Sequence, residues 1–184
     1  MPNVTRAGLD EDPFINAVHR GIKRDINVAM DNKCFRAVIV LIYAGIDAMG
    51  YTTLPPDEEE VTRNQFIAWA NKYIRFPGSE QLTGEELYAA RCAVLHTYGV
   101  ESKLSRKGAC RKVGYYEGIG VPPIMPGGAV APGCVWVTIT ALRDAFFRGI
   151  DDYADEASHD PDRWMQIEER LHNFLQHSTP GAPQ

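Results

Sequence analysis

The chain has 184 residues, 45% of them apolar and 23% charged, the make-up of one globular domain with a real core and not of a disordered or fibrous chain. A net charge of -5 excludes a protein that coats nucleic acid through bulk charge, although a local basic patch can exist on an acidic chain. The four cysteines (Cys34, Cys92, Cys110, Cys134) lie far apart with no Cys-x-x-Cys, so they read as reduced thiols and not as a disulfide framework or a zinc site.

Residues 1–12 are expected to be a flexible N-terminus. From there, 13–177 is expected to form a single helical-bundle domain, and 178–184, ending Pro-Gly-Ala-Pro-Gln, a disordered tail. Asp12-Pro13 starts a first helix with an acidic cap and proline at the first position, and Phe14, Val18, Ile22, Ile26 and Ala29 give it one apolar stripe. Asp31-Asn32-Lys33 is a turn into a second helix, Cys34 to Met49, apolar nearly all round and therefore central. Gly50 and Leu54-Pro55-Pro56 stop it. Asp57-Glu58-Glu59-Glu60 is expected to be the acidic first turn of a third helix carrying Phe66, Trp69, Ala70 and Tyr73, which Phe76-Pro77-Gly78 ends.

Thr83-Gly84-Glu85-Glu86 is a capping box that opens a fourth helix running to Tyr98, with Gly99 as its stop. Beyond it, Arg111 to Tyr116 and Cys134 to Thr138 read as two short strands. Between them, 117–133 is too rich in Gly and Pro for regular structure and is expected to be a long loop. Thr140 is expected to cap a fifth helix, and His159-Asp160-Pro161 to start a last one. The fold class is mainly α: an up-and-down helical bundle of five to six helices with a small two-stranded β excursion near the C-terminal third. No signal peptide is read in the first residues, and the longest apolar run, 37–50, is too short to span a bilayer and carries Asp47. A cytoplasmic protein with no membrane partner is expected.

Chemistry is hinted at in one stretch, Leu87 to His96, where Arg91 and His96 interrupt an apolar helical run. Burying an ionisable group among Leu, Val and Ala costs several kcal/mol unless it is paired or used. Histidine exchanges protons near neutral pH, and arginine offers a fixed cationic fork matched to phosphate oxygens. Five residues at about 100° each set the two side chains some 140° apart on an ideal helix, so a single helix does not aim both at one phosphate. Asp47, in the second helix, is the expected partner of Arg91 or orienter of His96. Just past the motif, Lys103, Arg106, Lys107, Arg111 and Lys112 form a basic strip able to track an RNA backbone, and Tyr98 can stack on a base. No cofactor or metal site is expected. Asp151, Asp152, Asp155 and Glu156 fit no calcium loop and read as a solvated helix face.

Arg91 and His96 make the pattern Arg-x4-His on the fourth helix of a helical chain, and the second helix holds Leu-Ile-Tyr-Ala-Gly-Ile-Asp-Ala. This resembles the HEPN superfamily (higher eukaryote and prokaryote nucleotide-binding) over Phe14 to Tyr98. The resemblance implies a bundle of four or five helices, a homodimer whose paired motifs line one cleft, and a metal-independent endoribonuclease with Arg91 and His96 as catalytic residues. Cys92 stands where catalytic members place Asn, Asp or His, and is carried as a supporting residue. RNA, a protein antitoxin or another protein are the partners this reading admits. The competing reading is a non-catalytic interaction protein of the same fold, in which Arg91 and His96 are structural.

Overall fold

The computed structural model describes residues 12–78, 81–99, 101–118 and 133–174. The expected flexible N-terminus, the interior of the Gly/Pro segment and the expected tail lie outside the described residues, save positions 12, 117, 118 and 133.

Asp12 opens the first helix, its Oδ1 accepting the Ile15 N–H at 3.0 Å. The winding then departs from the α-helix expected. Ile15–Lys23 is a π-helix, which passes into α1 (Arg24–Asp31). Phe14, Val18, Ile22 and Ile26 recur strictly every fourth residue. An α turn of about 3.6 residues lets such a row drift, whereas the wider i→i+5 winding keeps it on one face. Phe14, Val18 and Ile26 are accordingly buried.

Lys33, with a left-handed φ of 56°, turns the chain into α2 (Phe35–Tyr51). This helix is central: it packs against α1 and three later helices, and Val38, Ile42, Tyr43, Ile46 and Met49 are fully buried. It runs one residue past Gly50, because the stop is made at Thr52, whose Oγ1 donates to the Met49 carbonyl at 2.7 Å and meets the Tyr153 hydroxyl at 2.8 Å. The acidic run 57–60 is not a first helical turn. Thr62 caps α3 (Arg63–Tyr73) instead, with the Gln65 side chain accepting from the Thr62 N–H at 2.9 Å. That reciprocal capping box outweighs the favourable dipole of four acidic residues upstream.

The second capping box forms as expected. Thr83 Oγ1 accepts from the Glu86 N–H at 3.2 Å, Glu86 Oε2 accepts from the Thr83 N–H at 3.0 Å, and α4 (Gly84–Thr97) follows. A short helix the sequence did not announce, α5 (Lys103–Arg106), is capped by Ser102. With it the described residues hold seven α-helices against the five to six expected. Strands β1 (Lys112–Tyr116) and β2 (Cys134–Thr138) form a two-stranded parallel sheet, Gly114 facing Trp136. A parallel pair needs a connection of a dozen or more residues, which 117–133 supplies. Helix α6 (Ile139–Ser158) leaves β2 directly. Its cap is Thr138 and not Thr140, since Thr138 Oγ1 accepts from the Ala141 N–H at 3.0 Å while Thr140 donates its hydroxyl to Glu117 at 2.8 Å. Asp160 caps α7 (Pro161–Leu171), with proline at the first position. The core joins α3 to α6 through Trp69, Tyr73, Phe146 and Tyr153, whose rings meet edge to face across the two helices.

Candidate functional site

Helix α4 carries the motif, and its packing decides what each motif residue does. Leu87, Ala90, Ala93 and Val94 are buried where α4 lies on α2, α3 and β1. Arg91 falls at the α2 seam: its Nε donates to Asp47 Oδ2 at 2.9 Å, and Nη2 lies 2.8 Å from the same oxygen. The two side chains keep 25% and 27% of their surface in solvent, so the pair is neither sealed nor free. Burial pushes the Asp47 carboxyl above the usual carboxylate range, and Arg91 opposes that rise without cancelling it. Burial works against the charge of Arg91, but the Asp47 carboxylate outweighs it and holds the guanidinium more firmly protonated.

Cys92 also belongs to this cluster, close enough to Tyr88 and Arg91 to raise the pKa of both. Tyr88 was not singled out from the sequence. Its ring stands edge-on to Phe66 and under the Arg63 guanidinium at 5.6 Å, and burial and then Cys92 raise its hydroxyl pKa. An aromatic residue one turn before Arg91 on the same helical face was the available signal.

His96 stands elsewhere. It is exposed in the last turn of α4 and makes no hydrogen bond or ion pair to a described residue. Arg91 is turned to α2, His96 to solvent, as a five-residue spacing dictates, and the monomer does not join them in one cluster. Tyr98 ends the helix with a left-handed φ of 52° and is 73% exposed, so the position usually given to glycine is held by an aromatic ring.

The basic strip divides in two. Arg111 clasps Glu86 through Nε and Nη2, the latter at 3.0 Å, and also donates to the Gln81 carbonyl at 2.9 Å; Lys112 is bonded to Glu101. Both are thus committed to carboxylates. Burial raises the Glu86 pKa, but Arg111 and the Thr83 backbone N–H outweigh it and hold the carboxyl below its ordinary value. Lys103, Arg106 and Lys107, on α5 and its C-cap, are exposed and have no ion pair or hydrogen bond to a described residue.

Beside the end of α4 opens a cleft of about 380 Å³ in which Phe35, Tyr98, Tyr115 and Trp136 bring four aromatic rings together, with Arg36 in its wall. Gly114 is what lets Trp136 lie there: a Cβ at Gly114 would sit 2.6 Å from the indole ring. The Tyr115 hydroxyl is taken by that of Tyr43, 2.6 Å away. Among the described residues no group of three or more His, Cys, Asp or Glu can hold a metal ion, and no helix is long and apolar enough to cross a membrane. The chain matches no family model, no curated protein and no solved structure.

Proposed function

We propose that the chain is a cytoplasmic RNA-binding protein of HEPN type that cuts RNA without a metal, acting as a homodimer. The observation that carries this reading is an exposed imidazole at His96 followed within eleven residues by three exposed cations, Lys103, Arg106 and Lys107, none of the four with an ion pair or hydrogen bond to a described residue. Cations of this kind hold phosphates, and an imidazole moves protons at neutral pH. In the reaction His96 takes the proton of a ribose 2′-OH, and that oxygen forms a bond to the neighbouring phosphorus. The bond from phosphorus to the 5′-oxygen then breaks, the 5′-oxygen takes a proton, and the ends left are a 2′,3′-cyclic phosphate and a 5′-OH. Two α4 helices from two copies bring two imidazoles to one cleft, one as base and one as acid. Arg91, held by Asp47, fixes α4 on α2 and keeps a partly exposed positive charge on the motif helix.

The Arg91–Asp47 pair favours a second reading, a non-catalytic interaction protein in which the arginine serves only the helix seam. Incubation with mixed-sequence single-stranded RNA in the presence of EDTA separates the two. The enzyme reading expects cyclic-phosphate ends, a loss of about 100-fold or more in His96→Ala with an unchanged melting temperature, and the same dependence in a dimeric fraction. Wild-type protein that leaves RNA intact, or His96→Ala that cuts as well as wild type, contradicts it. No cleavage together with a lowered melting temperature in Arg91→Ala supports the interaction protein.

A further inference from the structure

The aromatic cleft has the features of a ligand site, and none of them depends on the RNA reading. Its volume of about 380 Å³ falls within the range of small-molecule pockets. Four aromatic rings converge on it from four separate elements: Phe35 from α2, Tyr98 from the end of α4, Tyr115 from β1 and Trp136 from β2. Such a lining favours a flat, polarisable ring, which gains from stacking and edge contacts beyond its area of burial. Tyr98 leaves 73% of its surface in solvent, a large exposed ring at the cleft mouth.

Charge narrows the ligand further. Arg36 lies in the first turn of α2, is exposed, and has no ion pair or hydrogen bond to a described residue. A cation in a first turn stands against the helix dipole, so its charge adds to the positive end of a 17-residue helix, and the first turn of α2 holds no acidic residue to offset it. The positive potential at this wall is therefore uncompensated.

We propose that this cleft binds a planar aromatic molecule carrying an anionic group, its ring among Tyr98, Tyr115 and Trp136 and its charge on Arg36. A nucleobase bearing a phosphate and an aromatic carboxylate share this chemistry. Calorimetric titration of the full chain with adenosine 5′-monophosphate and adenosine, and with 2-naphthoate and 2-naphthamide, tests the site and distinguishes the sources. At least one of the two anions is expected to bind, about tenfold more tightly than its neutral counterpart, and Arg36→Gln is expected to remove that preference. Binding of the nucleotide alone assigns a phosphate ligand, binding of 2-naphthoate alone a carboxylate, and binding of both the shared chemistry. Tyr98→Gly keeps the left-handed helix end and is expected to fold at least as well as wild type while weakening the bound anion several-fold. Failure of both anions to bind the folded wild-type protein at millimolar concentration overturns the proposal. So does binding that Arg36→Gln and Tyr98→Gly leave unchanged. Because Arg36→Gln alters none of His96, Tyr98, Lys103, Arg106 or Lys107, RNA cleavage and ligand binding can fail separately.

Discussion

Arg91 and Asp47 illustrate how one ion pair sets what a residue is able to do. Both guanidinium contacts go to a single oxygen, Asp47 Oδ2, on a seam that water still reaches. A pair in such a place contributes more than a fully exposed one, whose usual worth is below about 1 kcal/mol, and less than a sealed pair. Arg91→Ala is therefore expected to destabilise the fold by about 1–2 kcal/mol, and a double-mutant cycle with Asp47→Ala, followed by urea unfolding, to give a coupling of about 1 kcal/mol. A coupling near zero would show that the seam is held by Leu87, Ala90 and Val94 without help from the pair.

A second residue-scale case links α3, α6 and α7. Lys72 and Arg163 both reach Glu156, each at 2.6 Å, and hydrogen bonds from Lys72 first and Arg163 next hold its carboxyl down at about 2. A carboxyl depressed in the folded state stabilises the fold at pH values above its ordinary 4.5, and that contribution is lost as pH falls toward 2. Thermal melts between those limits are expected to show wild type losing more stability than Glu156→Gln. Parallel pH curves for the two proteins would refute the assignment.

At the scale of the element, the packing of α2 against α6 rests on one missing side chain. A Cβ at Gly45 would stand 2.5 Å from Cζ of Phe146, a ring that is itself fully buried. Gly45→Ala gains helix propensity but forces that ring to shift. Since overpacking of this kind costs about 1–3 kcal/mol, a net loss in unfolding free energy is expected, and a gain would mean that the core yields more easily than its density implies.

The sequence carried most elements because local chemistry fixed them: the Thr83–Glu86 box, the Asp160-Pro161 start and the apolar rotation of α2 need no tertiary partner. Where two local signals competed, the reading went astray. Thr62–Gln65 prevailed over the acidic run before it, and Thr138 over Thr140, because a cap is decided by which side-chain oxygen reaches a free N–H: Gln65 Oε1 the Thr62 N–H, and Thr138 Oγ1 the Ala141 N–H. The parallel pairing of β1 with β2 was not legible, since it depends on register across a connection of many residues. In the site, Asp47 was found through its charge in an apolar helix. Tyr88 and the aromatic cleft were missed because their members meet only after α2, α4 and the strands have packed.

Taken as a whole, the molecule sorts its charges. The net charge is -5, yet Lys103, Arg106 and Lys107 project together from α5, while Arg111 and Lys112 are neutralised by Glu86 and Glu101. A local group of cations on an otherwise acidic chain favours a polyanion at one place and repels it elsewhere. The homodimer we propose belongs to this scale too, since each copy would supply one His96 to the acid–base pair.

The most direct test of RNA binding at this end of the bundle is the salt dependence of affinity for a short single-stranded RNA, measured for wild type and for the triple variant Lys103→Gln, Arg106→Gln, Lys107→Gln. Each phosphate neutralised on a single strand adds about 0.7 to the slope of log affinity against log salt, so losing three cations is expected to flatten that slope by about 2. Equal slopes for the two proteins, or no RNA binding by wild type at low salt, would contradict the account.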